Sequence, residues 1–177
     1  MYGSAAALIT SASGDVLLVK PNYRDHWSLP GGIIEDGEPP HVACAREVQE
    51  ELGLSVSVGP LVAVDWLAPE GTRSRPAVAF LFDGGVLTDP SAIVLQESEL
   101  DEWRFIPPAD VAAFLPPRGA LRVTAGLRAN ASGAEYRAAY VPALASAPRS
   151  SGNSSCRLGQ ASLDAEELRS SDACPCS

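Results

Sequence analysis

The chain has 177 residues, of which 46% are hydrophobic. This is enough for one globular domain with a sizeable core, and too little for two ordinary domains. A formal charge of −9 would repel a nucleic-acid polymer and an anionic membrane surface, so both are excluded as partners. A small anionic substrate remains compatible with this charge if a cation bridges it to the protein.

The N-terminal segment and the cysteines indicate the compartment. Residues 1–10 have no basic residue before their apolar run, and no later run approaches the roughly 20 residues that span a bilayer. The four cysteines do not form a disulfide framework. They are Cys44 in a helical stretch and Cys156, Cys174 and Cys176 in the polar C-terminal segment. We therefore expect a cytoplasmic protein with free thiols, the alternative being a metal site in the C-terminal segment.

Two strands open the chain. Residues 4–10 and 15–20 are apolar and rich in β-branched side chains, and residues 11–14 between them favour a tight turn, so a hairpin is predicted. Residues 21–37 are dense in proline, glycine and aromatic side chains. This composition predicts an ordered loop.

A helix is predicted over residues 40–52. Pro39 and Pro40 suit a first helical turn, where a missing amide hydrogen costs nothing, and Gly53 supplies the stop. Further strands and short helices follow. The predicted strands are residues 56–67, 76–82 and 103–106, and the predicted helices are residues 107–114 and 120–128. Strands with interspersed helices on a mixed sheet indicate an α/β layered domain.

The composition changes beyond about residue 130. Serine, alanine, glycine and proline dominate there, with little hydrophobic periodicity, so apolar burial is too small to offset the entropy of ordering. We predict one domain over residues 1–130 and a low-complexity tail over residues 131–177 that is largely disordered.

The predicted helix 40–52 carries three glutamates on one face. Residues advance by roughly 100° each along an α-helix, so Glu47, Glu50 and Glu51 project from the same side. The opposite arc is apolar and consists of Val42, Ala45, Val48 and Leu52. This arc is predicted to pack on the sheet. Carboxylates so close together repel one another, and a hard divalent cation such as Mg²⁺ would relieve the repulsion.

The spacing alone is more typical of a solvated polar face than of a metal site, so the flanking sequence decides between them. Residues 32–54 read GIIEDGEPPHVACAREVQEELGL. This segment resembles the Nudix box, G-x5-E-x7-R-E-U-x-E-E-x-G-U with U aliphatic, without a departure. Trp27, Pro30 and Gly31 are similar to the approach that precedes the box. The resemblance covers about residues 4–128 and implies a Nudix-type α/β/α sandwich with a mixed β-sheet.

Carried over by position, the resemblance implies a role for each motif residue. The implied ligands of Mg²⁺ or Mn²⁺ are Glu47, Glu50, Glu51 and the backbone carbonyl of Gly31. The implied structural supports are Gly32, Glu38, Arg46 and Gly53, with Glu38 and Arg46 paired. The candidate catalytic carboxylates are Glu50 and Glu47 in the box and, on the segment before Trp103, Glu97 first and Glu99 second.

The substrate side is less defined by the sequence. The candidate phosphate-binding groups are Arg73, Arg75 and Arg24, and the candidate stacking rings are Tyr23, Trp27 and Trp66. We expect a small-molecule phosphoanhydride substrate, cleaved at the diphosphate linkage of a nucleoside diphosphate derivative. Pro69, fifteen residues after Leu54, resembles a proline that marks ADP-ribose-cleaving members. The alternatives are a MutT-like hydrolase of oxidised nucleoside triphosphates and a non-catalytic Nudix-like ligand sensor, with a homodimer left open.

Overall fold

The computed structural model describes residues 2–71 and 74–132. The strands are β1 (Tyr2–Ser11), β2 (Val16–Pro21), β3 (Gly31–Ile33), β4 (Leu61–Leu67), β5 (Ala77–Leu87) and β6 (Leu100–Ile106). The helices are α1 (Pro40–Leu52), α2 (Val111–Phe114) and α3 (Pro117–Ser132), and a short 3-10 turn spans Pro90–Ala92. Residues 133–177, which hold nearly all of the predicted tail, lie outside the described residues. Within the described ranges, no helix is both long and apolar enough to cross a membrane.

The six strands form one mixed sheet. Their order is β4-β5-β1-β2-β6, and β3 pairs with β1 beside this path. The central pair, β1 and β5, is parallel, and the remaining pairs are antiparallel. The predicted opening hairpin is present, with Thr10 of β1 opposite Val16 of β2. The predicted α/β class with a mixed sheet is therefore confirmed.

Each face of the sheet packs against its own helical layer. Successive side chains along a strand point to opposite faces, so neighbours in β2 enter different cores. Leu17 belongs to the cluster that contains Val48 of α1, whereas Leu18 belongs to the cluster that contains Val123 of α3. All four of these side chains are buried. The domain is thus an α/β/α sandwich, with α1 on one face and α3 on the other.

Helix α1 has the predicted bounds. It begins at Pro40 and ends at Leu52, and Gly53 follows in the left-handed region with φ 67°, where glycine carries no Cβ penalty. The Gly53 N–H donates to the Gln49 carbonyl at 3.0 Å, which satisfies one of the last helical carbonyls.

The apolar arc predicted for α1 was partly wrong. Val48 and Leu52 are fully buried, but Val42 is 44% exposed. Ala43 and Cys44 are buried in its place. The buried face of the helix is therefore rotated relative to the predicted one. It includes Glu51, which is only 7% exposed. One of the three acids consequently lies at the edge of the core instead of in solvent.

Several predicted bounds differ because long-range pairing decided them. Strand β4 begins at Leu61 instead of residue 56, following Pro60, which has no N–H to donate to a sheet. Strand β5 continues to Leu87 because β1 pairs with it in parallel along its whole length, past a register shift at Leu8 and Ile9. Helix α2 is shorter than predicted, and α3 begins with Pro117 and is longer. Strand β3 lies within the predicted loop.

Candidate functional site

The acidic face of α1 forms one wall of a cavity of about 590 Å³. Glu47, Glu50 and Glu51 all line this cavity, together with Gly31 and Gly32 of β3. The sheet brings these two elements together, because β3 pairs with β1 at Ala5 and Ala6 while α1 packs across β1. A cavity of this size is in the range of small-molecule binding sites.

Arg46 is the centre of the polar network beneath this wall. Its Nε and one terminal nitrogen donate to the two carboxylate oxygens of Glu38 at 3.0 and 3.1 Å, a bidentate contact. The same guanidinium donates to Glu47 and Glu50, each at 3.0 Å, and to the Ile33 carbonyl at 3.1 Å. The sequence-derived pairing of Glu38 with Arg46 is thus present, and it fastens the loop before α1 to the helix. The close guanidinium lowers the pKa of the Glu38 carboxyl.

The three acids of α1 differ in their exposure. Glu50 is half exposed, Glu47 is largely covered and Glu51 is buried. Burial raises the pKa of Glu51 to about 8, and its hydrogen bond from the Gly31 N–H, at 2.8 Å, opposes this shift only in part. The pKa of Glu47 is also raised, mainly by burial and further by the negative charges of Glu50 and Glu99. Burial therefore favours the protonated form of these two carboxyl groups.

Gly32 is required for the close approach of Glu47. A Cβ added at residue 32 would lie 2.5 Å from the Glu47 carboxyl carbon, far inside van der Waals contact. Because residue 32 has no side chain, the carboxyl group of Glu47 can lie against the backbone of β3. No other residue type leaves this space.

The donor set fits a divalent cation in its chemistry but is not preassembled. Within residues 2–71 and 74–132, no three His, Cys, Asp or Glu side chains converge as a metal-binding group. The carboxyl groups of Glu47 and Glu50 instead bond to Arg46, and that of Glu51 bonds to Gly31. Hard oxygen donors with uncompensated charge are what Mg²⁺ and Mn²⁺ prefer. A cation would bind here if these carboxylates exchanged their present partners for it.

The two acids proposed on the segment before Trp103 are placed differently. Glu99 lines the cavity, and its negative charge raises the pKa of both Glu47 and Glu51. Glu97 does not line the cavity. The sequence analysis ranked Glu97 ahead of Glu99. Local sequence could not show which of the two faces the cavity, because both lie on an irregular segment. This segment is held by hydrogen bonds from Asn22 to the carbonyls of Ser98 and Glu99.

The candidate cationic and aromatic residues are also separated by the fold. Arg24 lines the cavity, its guanidinium lying 5.1 Å from the centre of the Tyr23 ring. Arg75 is exposed and does not line the cavity, and Arg73 lies outside the described residues.

Tyr23 and Trp27 line the cavity, whereas Trp66 does not. Trp27 is already engaged edge-to-face with Phe114, with 5.7 Å between ring centroids. Tyr23 is 62% exposed, and the Arg24 guanidinium lies over its ring.

Sequence reasoning missed two arginines of α3. Arg118 and Arg122 both line the cavity, on the wall formed by the start of this helix. Their i, i+4 spacing was the available signal, since it places both on one helical face. That signal does not tell which way the face points, which only the packing of α3 on the sheet decides.

The fold and the placement of the box define the class of protein: an α/β/α sandwich in which a glycine-containing strand and an arginine-clamped loop present an acidic helix face to a cavity. The chain belongs to the NUDIX domain family, whose model matches residues 2–125.

Individual relatives agree with this assignment. A "MutT-like protein" of Streptomyces ambofaciens is 38% identical over 61 residues, which are 34% of this chain and 40% of that protein. An "ADP-ribose pyrophosphatase" of Mycobacterium tuberculosis is 38% identical over 88 residues, 47% of this chain and 42% of that protein. The chain thus spans about two fifths of the length of these curated relatives. The crystal structure of a MutT protein from Methanosarcina mazei superposes with a TM-score of 0.64 at 26% identity, covering 73% of this chain and 94% of that one.

Proposed function

We propose that this protein hydrolyses the diphosphate linkage of a nucleoside diphosphate derivative in a reaction that depends on Mg²⁺ or Mn²⁺. The observation that carries the proposal is the gathering of Glu47, Glu50 and Glu51, from a complete Nudix box, on the wall of one cavity. The family membership supports the reaction type. The intact set of acids argues against the alternative of a non-catalytic ligand sensor.

The site residues would have distinct roles in the proposed reaction. Glu47, Glu50 and Glu51, with the backbone of Gly31, would hold the cation. When bound, it would neutralise the diphosphate and act as a Lewis acid toward phosphorus. Arg46, fixed by Glu38, positions the first two carboxylates through its hydrogen bonds to them. Tyr23 lines the cavity and is largely exposed, so a nucleobase would stack on the ring face opposite Arg24.

We assign Glu99 as the general base. It lines the same cavity as the box acids, and its carboxylate is close enough to raise their pKa values. In hydrolysis the water oxygen bonds to one phosphorus atom and the anhydride bond to that phosphorus breaks. The bridging oxygen leaves with the other phosphate, and the proton of the water passes to Glu99. For a nucleoside diphosphate linked to a sugar, the products are two phosphate monoesters.

Two substrate classes remain in competition. The relative named for ADP-ribose and Pro69 favour a nucleoside diphosphate linked to a sugar. A Proteus vulgaris relative named "8-oxo-dGTP diphosphatase", 37% identical over 57 residues, favours an oxidised nucleoside triphosphate. The products separate them, because the first class releases a nucleoside monophosphate and a sugar phosphate, whereas the second releases pyrophosphate.

A magnesium-dependent screen tests the proposal. Purified full-length protein is incubated with ADP-ribose, a UDP-sugar, a dinucleoside polyphosphate and 8-oxo-dGTP, with Mg²⁺ or with EDTA, and the products are separated by ion-exchange chromatography. Hydrolysis is expected with Mg²⁺ only, and Glu50→Gln is expected to lose most of it while keeping its fold. Magnesium-independent turnover, or unchanged turnover in Glu50→Gln, would reject the proposed site.

A second comparison tests the assignment of the base. Glu99→Gln should lower kcat by about 10²- to 10⁴-fold, as expected for loss of a general base. The matched control is Glu102→Gln, whose half-exposed carboxylate pairs with Arg104 outside the cavity. A loss of comparable size in Glu97→Gln with normal turnover in Glu99→Gln would transfer the role to Glu97.

A further inference from the structure

The start of α3 carries positive charge on the cavity wall. Arg118 and Arg122 both line the cavity, and Gly119, three residues before Arg122 on the same helical face, has no side chain that could cover it. The positive end of the helix dipole adds to this charge, because the wall is the first part of a helix of 16 residues.

Arg122 is the unusual member of this pair. The Nε atom of Arg122 is buried, and this atom has no hydrogen-bond partner among the described residues. Burial lowers the pKa of Arg122, which records how poorly its charge is solvated. Arg118 differs, since it pairs with Asp65 at 3.5 Å and reaches the Trp66 carbonyl at 3.4 Å.

A buried guanidinium with an unused donor costs free energy unless a ligand supplies an acceptor. Among the described residues, Arg118 pairs with Asp65, and the charge of the same carboxylate acts on Arg122, so two guanidinium groups share this acid. Glu70 also lines the cavity. The planar fork of arginine matches the oxygens of a phosphate group. The acidic face of α1, on the same cavity, carries the opposite charge and would engage a phosphate only through a cation.

We propose that Arg122, supported by Arg118, binds an oxygen of a substrate phosphate group, at the α3 wall of the cavity. This inference rests on the proposed function for the identity of the substrate. Two sources of that oxygen share the same chemistry: the cleaved diphosphate itself, and a further phosphate group carried by a triphosphate substrate.

The test compares Arg122→Gln and Arg122→Lys with Arg128→Gln. Arg128 lies on the same helix but is exposed and outside the cavity, so its replacement makes the same charge change away from the site. Each variant is assayed with ADP-ribose and with a nucleoside triphosphate. Arg122→Gln should lower kcat/KM on the order of 10- to 100-fold, as expected for loss of a charged hydrogen bond. Arg122→Lys should recover part of the loss, and Arg128→Gln should match the wild type.

The pattern of the loss identifies the source of the oxygen. A loss with both substrates assigns Arg122 to the cleaved diphosphate, and a loss with the triphosphate alone assigns it to the further phosphate. Equal kcat/KM in Arg122→Gln and wild type for every hydrolysed compound, or a loss that follows the nucleobase instead of the phosphates, overturns the proposal.

A binding measurement separates this proposal from the proposed function. In EDTA, millimolar ADP should raise the Tm of wild type and Arg128→Gln but not that of Arg122→Gln, even if the wild type hydrolyses nothing. No rise in the wild type overturns the proposal. Without ligand, Arg122→Gln should keep or raise the Tm, because it removes a poorly solvated charge. A lower Tm would mean that Arg122 has a structural role instead.

Discussion

Replacing Arg46 by glutamine should destabilise the fold and make its stability depend on Mg²⁺. Arg46 is three-quarters buried and bonds to Glu38, Glu47 and Glu50, so its removal leaves three carboxylates without a counter-charge. A charged hydrogen bond contributes roughly 1.5–3 kcal/mol, and these contacts share one guanidinium and are not additive. We expect Arg46→Gln to lower the free energy of unfolding by about 2–4 kcal/mol in EDTA.

The matched control is Arg104→Gln. Arg104 also pairs with a carboxylate, that of Glu102, but both side chains are about half exposed. Exposed pairs are screened by water, so this change should cost less than about 1 kcal/mol. Unfolding in urea at pH 7, followed by tryptophan fluorescence, measures both variants. Millimolar Mg²⁺ should restore part of the loss in Arg46→Gln, because Glu47 and Glu50 then gain a cation. Equal losses in the two variants, or no effect of Mg²⁺, would refute the reasoning.

Two further predictions concern the box acids. In EDTA the wild type should lose stability as pH rises from about 4.5 to about 8. Folding raises the pKa of Glu51 from 4.5 to about 8, so the folded state holds this proton more tightly than the unfolded state does. The loss in the free energy of unfolding is at most roughly 5 kcal/mol. The Glu51→Gln variant, unfolded in urea at each pH, should lack this loss. Parallel pH profiles of wild type and Glu51→Gln would contradict the prediction. Gly32→Ala should keep its Tm within a few degrees but lower kcat by roughly tenfold or more, because the new Cβ displaces the Glu47 carboxyl group. An unchanged kcat would show that turnover does not need the contact of Glu47 with Gly32.

Local signals in the sequence determined helix α1 and the order of charges along it. Prolines at the start and Gly53 at the end set its bounds, since φ restrictions and the left-handed C-cap act within a few residues. The helical repeat likewise determined that Glu47, Glu50 and Glu51 lie on one side. Glu38 precedes the helix, and its pairing with Arg46 was implied by the resemblance to the Nudix box instead of by helical geometry. These features needed no knowledge of the rest of the chain.

Tertiary structure alone decided how the site is assembled. The sequence of β3 carries no strand signal at Gly31 and Gly32, and this strand exists because β1 supplies its hydrogen-bond partners. That pairing places Gly31 against Glu51 and Gly32 against Glu47, which sets the burial of the two acids. The packing of α3 on the sheet likewise turned Arg122 toward the cavity. Burial and long-range pairing depend on residues far apart in the chain, so local periodicity could predict the acidic face but not which groups would surround it.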